Sequence, residues 1–440
     1  MKLWNRSFAV WLLASAQSQL GTALAGIALS FLVLHQTHRA GAMAVTLACA
    51  VGPNLLGPLA GAWVDRVPLK LPLIAADVLR GLLQLMVGLL ALQMGDLPLW
   101  MINLTALLGG FAGIFANPAG SAAFPQLVPA DQLARANGLV GSVTQGAWLI
   151  GTLLGGVLVA NLGAPVAILI DGVSFLVMAA LLPLVRLRAR QAPTGLRPSV
   201  LTDLLSGLRL MRRSRTLTLI PVISMVLNAV LVTVTVVTPK LMERLGAGAA
   251  GYGVFLAAEG LGALLGGGVI AWLGPRVPAR RATAFGMLAT GLLYLIMARF
   301  TVYPVLLTCS LLLGFAFTLL NTPLVTLMQS MVPAAYLGRV FSVLGTGSTL
   351  GVPVMLLLVS PLLDRYPAGL FFALAGAVQL AGGLLWVLVV RAERVLPDLH
   401  AWAGKQQDAP DQQHPDVATL APATPEVKRD NHTALELSET

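Results

Sequence analysis

Asp77, Arg80, Asp171 and Glu259 stand inside long apolar runs of this 440-residue chain. A charge at the centre of a bilayer costs at least ~2.5 to 3.5 kcal/mol on insertion scales, so each of them needs a partner, a cavity or a task. Glu259 lies 13 residues before Trp272, where its run ends; at helical rise that is roughly 20 Å, past the middle of a membrane span. Two readings are open for it. It exchanges a proton against substrate or pairs with a cationic one, or it is held protonated by a neighbouring helix with no part in transport. Asp171 sits a few residues inside the far end of its run, where it either faces a water-filled vestibule or hydrogen-bonds within its own half. Asp77 and Arg80 are one helical turn apart, which reads as an intrahelical ion pair with a role in gating.

Uncharged polar residues offer a lining for a cavity between such runs: Gln17 and Gln19, Asn228, Asn321 and Gln379. Gln17 and Gln19 point to different faces of one helix, so at most one of them is expected to meet substrate. Phe31, Trp148, Phe255, Tyr294 and Phe315 either wall that cavity or serve packing and interface anchoring. An apolar site with few charges suits an amphipathic or hydrophobic solute; a nucleotide or sugar phosphate would demand Arg or Lys that the runs lack. No Gly-Lys-Ser or Gly-Lys-Thr phosphate cradle occurs, and nothing supports covalent catalysis, so the chain does not read as an enzyme.

The elements that must position these residues are legible in the composition. Hydrophobic residues make up 57% and charged residues 10%, with a mean hydropathy of +0.83, far from the soluble average of roughly a quarter charged. The runs exceed the ~18 to 20 residues that cross a bilayer, and only helices satisfy their own backbone there. Twelve such runs, from about 8–34 to about 369–390, fall six on each side of a basic loop. The expected fold is an all-α membrane protein of twelve transmembrane helices in two six-helix bundles related by pseudo-twofold symmetry. Its parts are a first bundle at 1–185, a basic loop with a possible surface helix at 186–216, a second bundle at 217–390 and a disordered tail at 391–440. Of the 28 Lys and Arg residues, 22 fall at the ends and loops on one side and five on the other. The positive-inside rule then places both termini and the basic loop in the cytoplasm, with the chain a multi-pass protein of the plasma membrane. The net charge of +10 belongs to those loops, and no basic face with interleaved aromatics speaks for nucleic acid. Met1 to Ala16 imitates a signal peptide, but apolar sequence continues to Leu34, which reads as an uncleaved first span. Cys49 and Cys309 lie in apolar runs and form neither a metal spacing nor a disulfide framework.

The halves repeat. Ala62-Trp63-Val64-Asp65-Arg66-Val67-Pro68-Leu69-Lys70 returns as Ala271-Trp272-Leu273-Gly274, then Arg276-Val277-Pro278-Ala279-Arg280; Asn117, Val128-Pro129-Ala130, Leu133 and Arg135 return as Asn321, Val332-Pro333-Ala334, Leu337 and Arg339. Twelve spans, this duplication and the charged turn after span two resemble the major facilitator superfamily. Gly61, Asp65, Arg66 and Lys70 match its G-x-x-x-D-R-x-G-R-[RK] signature in register, with Pro68 and Leu69 replacing the second Gly and the Arg. The resemblance implies that Asp65 docks on the start of span eleven, after Leu337-Gly338-Arg339, when that face is closed. Gly146 to Gly156 resembles the G-P-x-x-G-G element of the superfamily's exporters, with Thr152 in place of Pro. Small residues four apart at Gly57/Gly61, Gly151/Gly155 with Gly156, Gly262/Gly266 and Gly347/Gly351 fall on spans two, five, eight and eleven, which meet across the halves in that family.

Ala76-Asp77-Val78-Leu79-Arg80, the stretch from Asn117 to Asn137, and Ile170-Asp171-Gly172-Val173-Ser174-Phe175 are similar to the branch of macrolide-efflux proteins and the enterobactin exporter. The resemblance implies a proton-coupled exporter of drug-like molecules working by alternating access as a monomer, with a small-molecule substrate, membrane lipids around it and no cofactor beyond an ion gradient. Lysophospholipid or siderophore transport on the same fold, and a receptor or sensor without net flux, are the other readings. Two departures bear on coupling. Span four, Pro98 to Ala123, has no Arg where many of the superfamily's proton-coupled exporters carry one, and Thr22 stands where members of the branch often carry an acid.

Overall fold

The computed structural model describes residues 3–187, 208–209, 211–212, 215–276, 278–332 and 334–392. Most of the basic loop at 186–216, nearly all of the tail at 391–440 and the side chain of Arg339 lie outside the described residues. Among those described there is no strand, and twelve helical spans are long and apolar enough to cross a membrane. They are α1 (Arg6–Thr37), α2 (Ala40–Val64), α3 (Lys70–Met94), α4 (Leu99–Gln126), α5 (Ala130–Leu162), α6 (Ala164–Leu184), α7 (Leu217–Arg244), α8 (Gly248–Leu273), α9 (Ala279–Arg299), α10 (Tyr303–Met331), α11 (Val343–Leu363) and α12 (Ala368–Val389). The helix containing α11 begins earlier, at Ala334. Large apolar side chains such as Leu13, Leu59, Trp100, Phe285 and Leu358 remain exposed on the outside, as a lipid-facing surface requires and a water-facing one would not tolerate.

The packing repeats as the sequence does. In the first half α1 packs on α5, α3 on α6 and α2 on α4; in the second, α7 packs on α11, α9 on α12 and α8 on α10. The halves meet where α2 crosses α11 and α5 crosses α8. We call the face from which α1 starts the terminal face, and the opposite one the far face.

Local chemistry explains two irregularities. Asn5 caps α1, its Oδ1 accepting from the Phe8 N–H at 3.0 Å, while its Nδ2 donates to the Leu127 carbonyl at 2.8 Å and so ties the start of α1 to the end of α4. Span α2 is not one continuous α-helix: a 3-10 stretch at Gly52–Leu56 separates Ala40–Val51 from Gly57–Val64. Pro53 and Pro58 cannot donate to the carbonyls four residues earlier, and 3-10 pairing is what the backbone adopts instead.

Candidate functional site

Glu259 is set by a backbone crossing. At Gly314 of α10, a Cβ would collide with the Glu259 carbonyl oxygen and come within 2.8 Å of the Ala263 nitrogen, so only glycine lets α8 and α10 approach this closely. The Glu259 side chain lines a chamber of about 330 Å³ together with Asn228, Tyr252, Phe255, Tyr294 and Phe317. The first half has its own chamber, of about 390 Å³, lined by Thr22, Arg80, Gln84, Gly109, Asp171 and Phe175. Between them lies a third, of about 320 Å³, which shares Thr22, Gly26 and Leu47 with the first-half chamber and Thr235, Tyr252 and Leu256 with the Glu259 chamber. Asp171 and Glu259 therefore line two separate chambers, each of which shares wall residues with a third, largely apolar chamber between them.

Asp171 is 1% exposed, accepts from Gln84 Nε2 at 3.1 Å and is met by Ser174 Oγ at 3.3 Å. It is thus hydrogen-bonded within its half rather than facing an outer vestibule. No Asp77–Arg80 contact within ion-pair distance is present among the described residues, although the two opposite charges still act on each other along the helix. The Arg80 Nε donates instead to the Gly109 carbonyl of α4 at 3.2 Å, and the guanidinium lies 5.5 Å from the Phe175 ring centre. An arginine side chain long enough to span two helices takes a buried carbonyl and an aromatic face in preference to a residue beside it on its own helix. Arg80 therefore lines the Asp171 chamber, and Asp77 is buried one turn nearer the terminal face.

Of the proposed lining, Asn228 reaches the Glu259 chamber and Asn321 a smaller recess beside it, whereas Gln17 and Gln19 line none of the three chambers. Trp148, Phe255 and Tyr294 are wall residues. Phe315 is not; its backbone packs on Gly262 and Gly266, and Phe317 faces the chamber instead. Phe31 belongs to an aromatic row with Tyr252 and Phe255: its ring centroid lies 6.1 Å from that of Tyr252, which lies 6.3 Å from that of Phe255. Tyr252 and Gln84 carry no charge or spacing that marks them in the sequence, and Ser174 is marked there only as part of the motif around Asp171.

At the far face the Asp364 carboxylate joins the halves most extensively. Asp364, just past α11, accepts from the Ala40 N–H at 2.8 Å and the Gly41 N–H at 3.1 Å, at the N-terminus of α2. Lys240 donates to its Oδ1, and Arg39 Nε lies 3.4 Å from its Oδ2. A carboxylate at a helix N-terminus meets unsatisfied donors and the positive end of the dipole. Burial pushes the Asp364 carboxyl up, but the hydrogen bonds from Lys240, Gly41 and Ala40 outweigh it and hold the group below its ordinary value. The Ser360 hydroxyl donates to the Gly41 carbonyl at 3.0 Å, and His35 stands 3.4 Å from Glu243.

The small-residue pairs do not all join the halves. Gly156 and Gly253 do: a Cβ on either would lie 2.9 Å from the other's Cα. Gly151 and Gly155 instead face α1, Gly262 and Gly266 face α10, and Gly347 and Gly351 face α7, each within its own half. Spacing shows that a backbone can approach closely but not which neighbour fills the groove. Toward the terminal face Gly57, Gly61, Gly141, Gly267 and Gly345 meet nothing within 4 Å of a Cβ position, and Gly57–Val64 packs chiefly on α4. Among the described residues, the polar contacts that join the halves are at the far face. In the charged turn, Lys70 Nζ donates to the Pro183 carbonyl at 3.1 Å, a tie inside the first half, and Arg66 is exposed.

Twelve membrane-length helices in two repeats, enclosing a cavity shut on one face, define a multi-pass membrane transporter rather than an enzyme. The chain belongs to the Major Facilitator Superfamily, which it matches over residues 11–352 and 229–410. It is 22% identical over 383 residues to macrolide efflux protein A of Streptococcus pyogenes, covering 85% of this chain and 94% of that one. With multidrug efflux pump Tap of Mycolicibacterium fortuitum it shares 27% over 394 residues, covering 84% and 93%. The crystal structure of the nucleoside transporter NupG superposes with a TM-score of 0.70 at 10% identity, covering 88% of this chain and 99% of that one; at that identity the likeness speaks for the fold alone.

Proposed function

We propose that this transporter exports amphipathic or hydrophobic small molecules in exchange for protons, with both termini in the cytoplasm of a cell whose plasma membrane it spans. The observation that carries the reading is Glu259 in the wall of an apolar and aromatic chamber that shares Thr235, Tyr252 and Leu256 with the space between the halves. A solute reaching that chamber and a proton on that carboxyl compete for one place, which is what exchange requires. Export is supported by relatives named for macrolide and multidrug efflux. In this orientation the far-face latch makes the described state inward-facing, ready to take cargo from the cytoplasm. Opening the far face breaks the Asp364 contacts. Lipid surrounds the chain, no cofactor other than the gradient is called for, and a single chain holds the whole cavity.

A susceptibility panel of macrolides, dyes and quaternary cations tests this in cells expressing wild type, Glu259→Gln or Asp65→Asn. The wild type should lower accumulation of several members and both variants should lose that protection. A wild type that protects against none, in cells where the protein reaches the membrane, contradicts the reading.

A further inference from the structure

Between the terminal part of α2 (Gly57–Val64), α3 and α4 lies a cleft of about 500 Å³. Leu59, Trp63 and Phe115 rim it, while the small, buried side chains of Ala60, Ala76 and Ala112 keep its floor low. None of its lining residues lines a chamber between the halves. Its α3 wall packs within the first half, on α4 and α6, and Leu59 and Trp63 are exposed. The cleft therefore opens on the lipid side of the protein.

Helices packed to ordinary interior density leave few voids larger than a water molecule. Water does not settle in this one, because it needs roughly two to four polar partners. The lining side chains supply one polar hydrogen, the indole N–H of Trp63, which makes no hydrogen bond among the described residues. The mouth of the cleft has the opposite chemistry. Trp63 and Pro72 are lining residues on either side of the turn that joins α2 to α3. In that turn Arg66 is exposed and makes no ion pair among the described residues. Lys70 spends one N–H on the Pro183 carbonyl and keeps the others, and Asp65 is half-buried with a partner already. An apolar trough that ends at an unpaired guanidinium and an indole N–H has the profile of a lipid chain below its phosphate.

We propose that the cleft is a lipid site, taking one acyl chain of an anionic phospholipid against Trp63 and Phe115 while Arg66 holds the phosphate. The two rings already stand edge to face, 5.3 Å between centroids, as one side of the trough. The chain does mechanical work there. Gly57–Val64 is divided from the rest of α2 by the 3-10 stretch and packs chiefly on α4, so hydrocarbon in the cleft supplies the support that α3 does not. The site requires the membrane spans but neither proton exchange nor a particular cargo, and it stands or falls apart from the transport reading.

Phosphatidylglycerol and phosphatidylcholine carrying the same diazirine-bearing acyl chain, each at trace level in phosphatidylcholine nanodiscs, are cross-linked to the full chain and the adducts located by peptide mass spectrometry. On the wild type the cleft segments of α2 and α4 should take about fivefold more of the glycerol lipid than of the choline lipid. Leu292, exposed in mid-span on α9, should take both alike. Arg66→Gln should bring the cleft ratio down to that at Leu292. Ala75→Phe, at an exposed position of the lining, should lower cleft labelling by both lipids and leave Leu292 unchanged. A wild-type cleft labelled equally by the two lipids, or no more densely than Leu292, overturns the proposal, as does either variant behaving like wild type. Displacement of the glycerol lipid from the cleft by tetraphenylphosphonium overturns it as well, since the cleft is then a station for cargo.

Discussion

Asp364 and Glu259 are both acids in an apolar protein, and their surroundings divide the work between them. Asp364 has cationic and backbone partners and lies outside the spans, held below its ordinary value. The stability it lends to far-face closure is present above the carboxyl's unfolded pKa and is lost only as pH falls through the lower folded value. The Asp364 contribution to far-face closure should therefore be constant from pH 8 to pH 5 and fail only in stronger acid. A spin-label distance between Gln36→Cys and Arg365→Cys, in a background without Cys49 and Cys309, measures it. Asp364→Asn should widen that distance at neutral pH, because Lys240 and Arg39 lose their charge partner; an unchanged distance would remove Asp364 from the latch. The intramembrane acids Asp77, Asp171 and Glu259 are visible in the sequence, since a charge within an apolar run stands out. Asp364 is not, because a loop acid acquires its meaning only from the α2 N-terminus that folding brings to it.

Among the elements, α8 carries the most. It holds Glu259, crosses α10 at Gly314 and meets α5 at Gly253. Gly314→Val forces two backbones apart at the carboxyl that lines the chamber, and overpacking of this kind costs about 1–3 kcal/mol. The expected result is a protein that reaches the membrane with a modestly lowered melting temperature and most of its transport lost, checked by thermal unfolding in detergent beside dye efflux. Gly156→Leu should act differently: it spoils the α5–α8 seam between halves and leaves each half intact, so cross-linking across the far face should fall while each half keeps its own fold. The spans themselves were legible, because length and hydropathy decide membrane crossing without reference to neighbours. Helix partners were not. Arg80 follows Asp77 at helical spacing, yet its guanidinium reaches α4 and Phe175, and it supplies a cation to the first-half chamber although α4 carries no arginine of its own.

For the whole molecule, the two repeats are alike in packing and unlike in chemistry. The first-half chamber has Asp171 satisfied by Gln84 and Ser174 with Arg80 on the same wall; the second has Glu259 among aromatic rings without a cation in its lining. On the exchange reading proposed above, that asymmetry makes Asp171 the hydrogen-bonded, structural acid and Glu259 the one that takes and releases the proton. Asp171→Asn should accordingly retain measurable pH-driven transport, with reduced thermal stability from a disturbed hydrogen-bond set, whereas Glu259→Gln should retain binding and lose coupling. The duplication was readable from the repeated turn and loop motifs, but the asymmetry between the chambers depends on rotations of individual helices that motifs do not encode.

The most direct measurement is flux of a dansyl-labelled amine in proteoliposomes under an imposed pH gradient, wild type against Glu259→Gln with equal amounts of folded protein. The account predicts gradient-driven accumulation and a matching proton movement in the wild type, and neither in the variant. Undiminished pH-driven accumulation in Glu259→Gln would contradict it.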